Sequence, residues 1–158
     1  MFNLKIAFYV MLFVLFINQG SSFSFNSRRE KRFSSGFTYP GTKWCGMGNE
    51  AKNYEDLGVN IKTDKCCRTH DQCREYIPAF ASIGGMQNNL PYTVSHCDCD
   101  SAFYQCLKQA NTETAQLVGD MFFNVLKVPC FVWKKKDCPD GRCQEQRKAV
   151  LQLPKHFR

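Results

Sequence analysis

Cys66-Cys67-Arg68-Thr69-His70-Asp71-Gln72-Cys73 sets a histidine beside an aspartate inside a run that holds three cysteines. A lone histidine is usually structural. Here cysteines flank the pair on both sides, so cross-links could hold the imidazole and its neighbouring carboxylate in a fixed frame. Cys66, Cys67, Cys73, Tyr76 and Ile77 recur at helical spacing, Thr63 or Asp64 offers an N-cap, and Pro78 blocks continuation. The spacing predicts a helix from about Asp64 to Ile77.

Upstream, residues 33–60 are rich in Gly, Ser, Pro and Asn and read as loop and short strand. Within them, Trp44-Cys45-Gly46-Met47-Gly48 is a loop whose glycines flank a cysteine, leaving backbone carbonyls able to converge on a cation. Glycine-rich turns are common, so this motif alone carries little. Downstream, Gly84, Gly85, Asn88, Asn89 and Pro91 mark a loop. A second helix is predicted through Cys99, Phe103, Cys106, Leu107 and Ala110, and a third from Thr112 to Leu126, stopped by Pro129. The tail from Phe131 contains Cys138-Pro139-Asp140-Gly141-Arg142-Cys143, a turn sequence closed by its own cysteines, which predicts a small hairpin wing. No internal repeat or low-complexity segment appears.

The chain's 158 residues suit one domain with a modest core. Lys5 precedes twelve unbroken apolar residues, Ile6 to Ile17, followed by small residues around Gly20, Ser21 and Ser22. That is the pattern of a secretory signal peptide over residues 1–22, and the run is too short to cross a bilayer. A basic run, Arg28-Arg29-Glu30-Lys31-Arg32, closes a polar stretch and reads as a propeptide over residues 23–32. All ten cysteines lie between Cys45 and Cys143, and an even number in an exported chain points to disulfides. Zinc is the rival use, but the spacing lacks a paired C-x-x-C pattern. Five of the 21 basic and one of the 14 acidic residues precede Phe33, leaving 16 against 13 and a mature charge of +3. With no basic helix or aromatic-interleaved stripe, nucleic acid is excluded as a partner, whereas loose attraction to an anionic membrane fits.

Taken in order, Tyr39-Pro-Gly-Thr, Trp44-Cys-Gly-Met-Gly, Cys66-Cys-Arg-Thr-His-Asp, His96-Cys-Asp-Cys-Asp, Phe122-Phe-Asn and the cysteine positions resemble the secreted phospholipase A2 family, in its bee-venom-like, group III branch. The resemblance covers nearly the whole mature chain up to about Cys143. It implies a mainly α, disulfide-rich fold over residues 33–158, with two antiparallel helices cross-linked by disulfides, an N-terminal calcium-binding loop and a small C-terminal β hairpin wing. The implied bridges are Cys45 with Cys67, Cys66 with Cys106, Cys73 with Cys99, Cys97 with Cys130 and Cys138 with Cys143. Two of them agree with antiparallel helices, since seven residues up one helix match seven down the other. They also bracket His70 and Asp100, so the two side chains can meet across the seam.

The resemblance further implies calcium-dependent hydrolysis of the sn-2 acyl ester of glycerophospholipids at a membrane or micelle surface by a secreted, monomeric enzyme. Calcium would be held by the carbonyls of Trp44, Gly46 and Gly48 and the carboxylate of Asp71. His70 would act as general base on water, Asp100 would stabilise the imidazolium, and the Gly46 N–H would face the oxyanion. Many relatives support this aspartate with tyrosine hydroxyls, whereas the candidate positions here are Arg74 and Phe122, so Asp100 must find other partners. His96 is expected to be a loop residue, His156 a tail residue and Lys134-Lys135-Lys136 a solvated run. Asp98 is expected to point away from the Asp100 face. The alternative is a non-catalytic secreted toxin or receptor ligand on the same scaffold, which would have no need to keep both His70 and Asp71.

The basic run has no use in the predicted domain, so the secreted protein is expected to begin at or near Phe33. N-terminal sequencing checks this, and a start at Ser21, Ser22 or Phe23 would show that the propeptide is retained.

Overall fold

The computed structural model describes residues 37–135 and 147–158. The expected signal peptide, the expected propeptide and the Cys138 with Cys143 bridge lie outside them. Three α-helices carry the fold: α1 (Ile61–Asp71), α2 (Cys97–Ala110) and α3 (Glu113–Gly119). The third continues into a π-helical turn, Asp120–Val125. Short antiparallel strand pairs surround them: β1 (Phe37–Thr38) with β2 (Gly46–Met47), β3 (Tyr76–Ile77) with β6 (Val94–Ser95), and β4 (Ser82–Ile83) with β5 (Met86–Gln87). The longest pair is β7 (Cys130–Lys135) with β8 (Arg147–Gln152), the two strands of the expected C-terminal hairpin.

Helix α1 begins earlier and ends earlier than its apolar spacing predicts. It starts at Ile61 after Asn60, so Thr63 and Asp64 lie inside it instead of capping it. It stops at Asp71, where Gln72 N–H and Cys73 N–H donate to the carbonyls of Thr69 and His70 in a tight closing turn. Tyr76 and Ile77, read as a further helical turn, instead form β3 against β6. Two residues at helical phase from the last cysteine are also compatible with a two-residue strand, and tertiary pairing decided between them.

The other helices start where their caps dictate. His96 sits at the N-cap of α2, its Nδ1 accepting from the Asp98 N–H at 3.3 Å, so it is a cap and not merely a loop residue. The Thr112 hydroxyl accepts from the Ala115 N–H at 3.1 Å to open α3, and it also bonds the buried Thr63 hydroxyl of α1 at 2.9 Å. At the far end the Leu126 N–H reaches back five residues to the Met121 carbonyl, so the predicted third helix ends in a wider turn.

Two apolar clusters form. The larger joins Trp44, Cys45, Cys66, Cys67, Phe103, Leu107, Ala115, Val118, Phe123 and Phe157, and the smaller packs Ile77, Val94, Phe131 and Ala149 under the hairpin. Four disulfides tie the described residues together: Cys45–Cys67, Cys66–Cys106, Cys73–Cys99 and Cys97–Cys130, each a pair that the resemblance implies. Chain-entropy arguments give such bridges about 3–4 kcal/mol each for loops of this size, which suits a core this small.

Phe157 closes the larger cluster from the C-terminal tail. Its ring stacks on Phe123 at 5.7 Å and meets Tyr104 edge-on at 4.9 Å. Its N–H donates to the Asn124 side-chain carbonyl, and the Asn124 amide donates back to its carbonyl, both at 2.8 Å. Phe157→Ala is therefore expected to lower unfolding free energy by about 3–5 kcal/mol with bridges intact, whereas exposed Phe37→Ala changes it little. Denaturant titration of both variants checks the contrast.

Candidate functional site

The bridges Cys66–Cys106 and Cys73–Cys99 lock α1, and the turn after it, to α2. Between them His70, one residue before the end of α1, meets Asp100 in the first turns of α2: His70 Nε2 lies 2.7 Å from Asp100 Oδ1. An ionised carboxylate only accepts, so Nε2–H donates and Nδ1 keeps its lone pair. The imidazole stacks on Phe103 at 4.6 Å and takes the Phe122 ring edge-on at 5.3 Å, which fixes its plane.

Asp100 is buried, and its surroundings push its carboxyl above the ordinary carboxylate range, opposed by the hydrogen bond from His70. Among the described residues no group donates to its second oxygen, Oδ2. Phe122, one of the two positions considered for a supporting hydroxyl, packs its ring against His70 instead, and Arg74 is exposed. Asp98 is exposed.

On the other flank, the Cys45–Cys67 bridge seats the glycine loop on α1. Trp44 is buried, its indole N–H donating to the Asp56 carbonyl at 2.9 Å. The Tyr39 N–H donates to the Cys45 carbonyl at 2.7 Å, which makes residues 39 and 45 a hydrogen-bonded pair. Since Thr38 pairs with Gly46, the antiparallel alternation turns the Gly46 N–H and C=O away from β1. No side chain fits there: a Cβ on Gly46 would sit 2.0 Å from the Phe37 carbonyl oxygen. Gly48 follows at φ +79°, a left-handed turn that lets the chain leave the strand.

Asp71 ends α1. Desolvation by the surrounding chain pushes its carboxyl up to about 7, with the His70 charge pulling it down and the Asp64 charge adding to the rise. The residue keeps solvent contact, and it has no hydrogen-bonding or ion-pairing partner among the described residues. An exposed carboxylate without a partner among the described residues, one turn of α1 beyond the cysteine bridged to the glycine loop, is a ligand of the hard oxygen kind that suits calcium.

A cleft of about 420 Å³ runs along the α1–α2 seam, lined by His70, Thr69, Phe103 and the two seam bridges, with Glu75, His96 and Asp98 at one end. Of the site residues expected from sequence, apart from bridge cysteines, only His70 lines it; Trp44, Gly46, Gly48, Asp71 and Asp100 do not. Two contributors escaped the sequence reading. Phe103 was read only as a core position, and Asp64 only as a cap. Both were signalled by phase: Phe103 lies one turn from Asp100 and from Cys106, and Asp64 one turn from Cys67.

A family model described as phospholipase A2 matches residues 38–134. The chain is 52% identical over 95 residues to phospholipase A2 isozymes of Heloderma suspectum, covering 60% of this chain and 66% of theirs. It is 46% identical over 110 residues to the group 3 secretory phospholipase A2 of Homo sapiens, covering 70% of this chain and 21% of that one. To the phospholipase A2 of Apis mellifera it is 36% identical over 137 residues, covering 85% and 80%. The chain thus spans most of the honeybee protein, 66% of the lizard isozymes and 21% of the human protein.

The Asp71 carboxyl has a folded value of about 7 against an ordinary 3.8, so between these pH values the folded chain keeps a proton that the unfolded chain has released. Stability from this group therefore falls as pH rises through that window. In a chelator-containing buffer, wild type is expected to lose more stability between pH 4 and pH 8 than Asp71→Asn. Denaturant unfolding of both proteins reads the difference, and parallel pH curves would return Asp71 to an ordinary carboxyl.

Proposed function

The chain belongs to the phospholipase A2 family, in its bee-venom-like, group III branch, and from that premise we propose that it is a secreted enzyme hydrolysing the sn-2 acyl ester of glycerophospholipids at lipid surfaces, with His70 as general base. The observation that carries the reading is the His70 Nε2 to Asp100 Oδ1 contact of 2.7 Å, made on a helix whose next residue, Asp71, has no hydrogen-bonding or ion-pairing partner among the described residues. We read the packing of α1 on α2 as antiparallel, which is what two bridges flanking this contact require.

His70 Nδ1, left basic by the commitment of Nε2, takes a proton from water as the water oxygen bonds to the ester carbonyl carbon. Asp100 stabilises the imidazolium so formed, as a buried carboxylate beside a new positive charge does. The proton then passes from Nδ1 to the departing glycerol oxygen as the acyl bond breaks, giving fatty acid and lysophospholipid. The Gly46 N–H, which the antiparallel alternation turns out from the β1–β2 pair, would donate to the carbonyl oxygen as it gains charge. The carbonyls of Trp44, Gly46 and Gly48 with the Asp71 carboxylate would hold calcium, which supplies electrostatic stabilisation of the oxyanion and of the lipid phosphate.

Secretion is supported by the bridges, by the leader pattern of residues 1–22 and by the secretory description of the human relative. Residues 23–32 are then a propeptide and 33–158 the enzyme, acting as a monomer on phospholipid membranes or micelles.

Fatty acid release from mixed phospholipid vesicles, with calcium and with chelator, tests the proposal. Wild type is expected to be active only with calcium. His70→Gln should fold normally and lose about 10² to 10⁴ in rate, the usual effect of removing a general base. Asp71→Asn should lose calcium binding and turnover together, because the remaining ligands are neutral. Unchanged hydrolysis in chelator, or a folded His70→Gln that keeps most activity, overturns the mechanism; a pure wild type without hydrolytic activity leaves the non-catalytic ligand instead.

A further inference from the structure

Asp64 is fully buried, and no cation among the described residues pairs with it. Its carboxylate is held by backbone N–H groups: Trp44 N–H donates to Oδ1 at 2.8 Å, Gly58 N–H to Oδ2 at 2.7 Å, and Lys43 N–H lies 3.0 Å from both oxygens. The Lys43 ammonium turns to Asp56 instead. None of these donors belongs to α1, so the carboxylate caps no amide of its own helix. A charge this deeply buried is retained only where its hydrogen bonds are well made, and here they hold two separate loops to one point on α1.

Spacing along α1 gives this arrangement a direction. Asp64, Cys67 and Asp71 fall at i, i+3 and i+7 and so share one face of the helix. Asp64 grips the amides of Lys43 and Trp44, and Cys67 is bridged to Cys45. Gly46 and Gly48 come next along the loop, and Asp71 next along the helix. The loop therefore runs in step with that face. The carbonyls flanking Trp44 are already used, Lys43 C=O by the Glu50 N–H at 2.8 Å and Cys45 C=O by the Tyr39 N–H at 2.7 Å.

We propose that Asp64 is a positioning residue for the calcium loop, holding the backbone of Lys43 and Trp44 so that the carbonyls of Trp44, Gly46 and Gly48 are set before the ion arrives. The inference rests on the calcium reading above and deepens it. Asp64 touches neither ion nor lipid. It raises affinity by removing loop conformations that cannot bind, since apparent affinity falls in proportion to the fraction of molecules in the competent state.

Two measurements test this. The first is hydrogen exchange on the metal-free wild-type protein. The amides of Lys43, Trp44 and Gly58 are expected to be protected before any calcium is added, and to gain little when it is. Free exchange that becomes protected only with calcium would mean that the ion organises the loop, and would overturn the proposal.

The second is calorimetric titration of calcium into Asp64→Asn, which keeps the volume but replaces one acceptor oxygen with a donor facing donors. Calcium affinity is expected to fall about tenfold or more, while kcat recovers at saturating calcium. Asn88→Ala serves as the control. It removes a buried side chain that holds the Ile77, Pro78 and Tyr92 carbonyls, so it should lose stability and keep calcium affinity. An Asp64→Asn affinity equal to wild type, or reduced no more than in Asn88→Ala, overturns the assignment. If Asp64→Asn does not fold, the exchange of the wild-type amides decides. If wild type binds no calcium, the calcium reading fails by itself, while amide protection still reports whether Asp64 holds the loop.

Discussion

Helix α1 is fixed from two sides by covalent bonds, and that constraint sets everything the site needs. Cys66 and Cys67 are adjacent, about 100° apart around the helix, so they face different neighbours. Cys66 reaches α2 through Cys106, and Cys67 reaches the glycine loop through Cys45. His70 follows Cys66 by four residues and Asp71 follows Cys67 by four, so each lies one turn beyond the cysteine on its own side. The histidine is thereby carried toward the α2 carboxylate and the aspartate toward the loop. Two adjacent cysteines thus set two adjacent polar residues on different sides of the helix.

A chain this small cannot position such groups by core volume alone. The described core is two clusters, and neither contains more than a few fully buried large side chains. Position is therefore maintained by a mixture of bridges and buried polar anchors. Asp64 holds two loops, Asn88 three carbonyls, and the Asn124 amide the tail at Phe157. Each is a buried polar group whose desolvation is offset only by complete hydrogen bonding, which makes it a specific locator and an intolerant one.

This division explains what could be read from the sequence. The three helices were legible because helical phase is a local signal with few solutions, whereas the four bridges among the described residues were foreseen through the family resemblance, with helical register supporting two of them and, with those two, the facing of His70 and Asp100. The end of α1 was not legible: Tyr76 and Ile77 fit the helical period, and only pairing with Val94 and Ser95, distant in sequence, makes them a strand. The role of Asp64 was hidden for a related reason. An aspartate near a helix start usually caps it, and nothing local reveals that its acceptors are turned to amides about twenty residues upstream. Anchors of this kind belong to tertiary structure, and their only trace in sequence is a polar residue on the same helical face as a buried cysteine.

The surroundings of Asp100 follow the same logic with a different balance. A hydroxyl on its second oxygen would add a hydrogen bond worth about 1–2 kcal/mol, and Oδ2 has no donor among the described residues. In its place the imidazole is held by two aromatic contacts, Phe103 stacked at 4.6 Å and Phe122 edge-on at 5.3 Å, each worth about 0.5–1.5 kcal/mol. Those magnitudes are comparable, so orientation of the ring need not suffer. The charge balance does change. Hydroxyl donors stabilise a carboxylate at all times, whereas burial without them raises its free energy, an effect that the hydrogen bond and charge of His70 oppose. On the proposed mechanism Asp100 would gain most at the moment the imidazolium appears, and a missing ground-state hydrogen bond would become an interaction weighted toward the transition state.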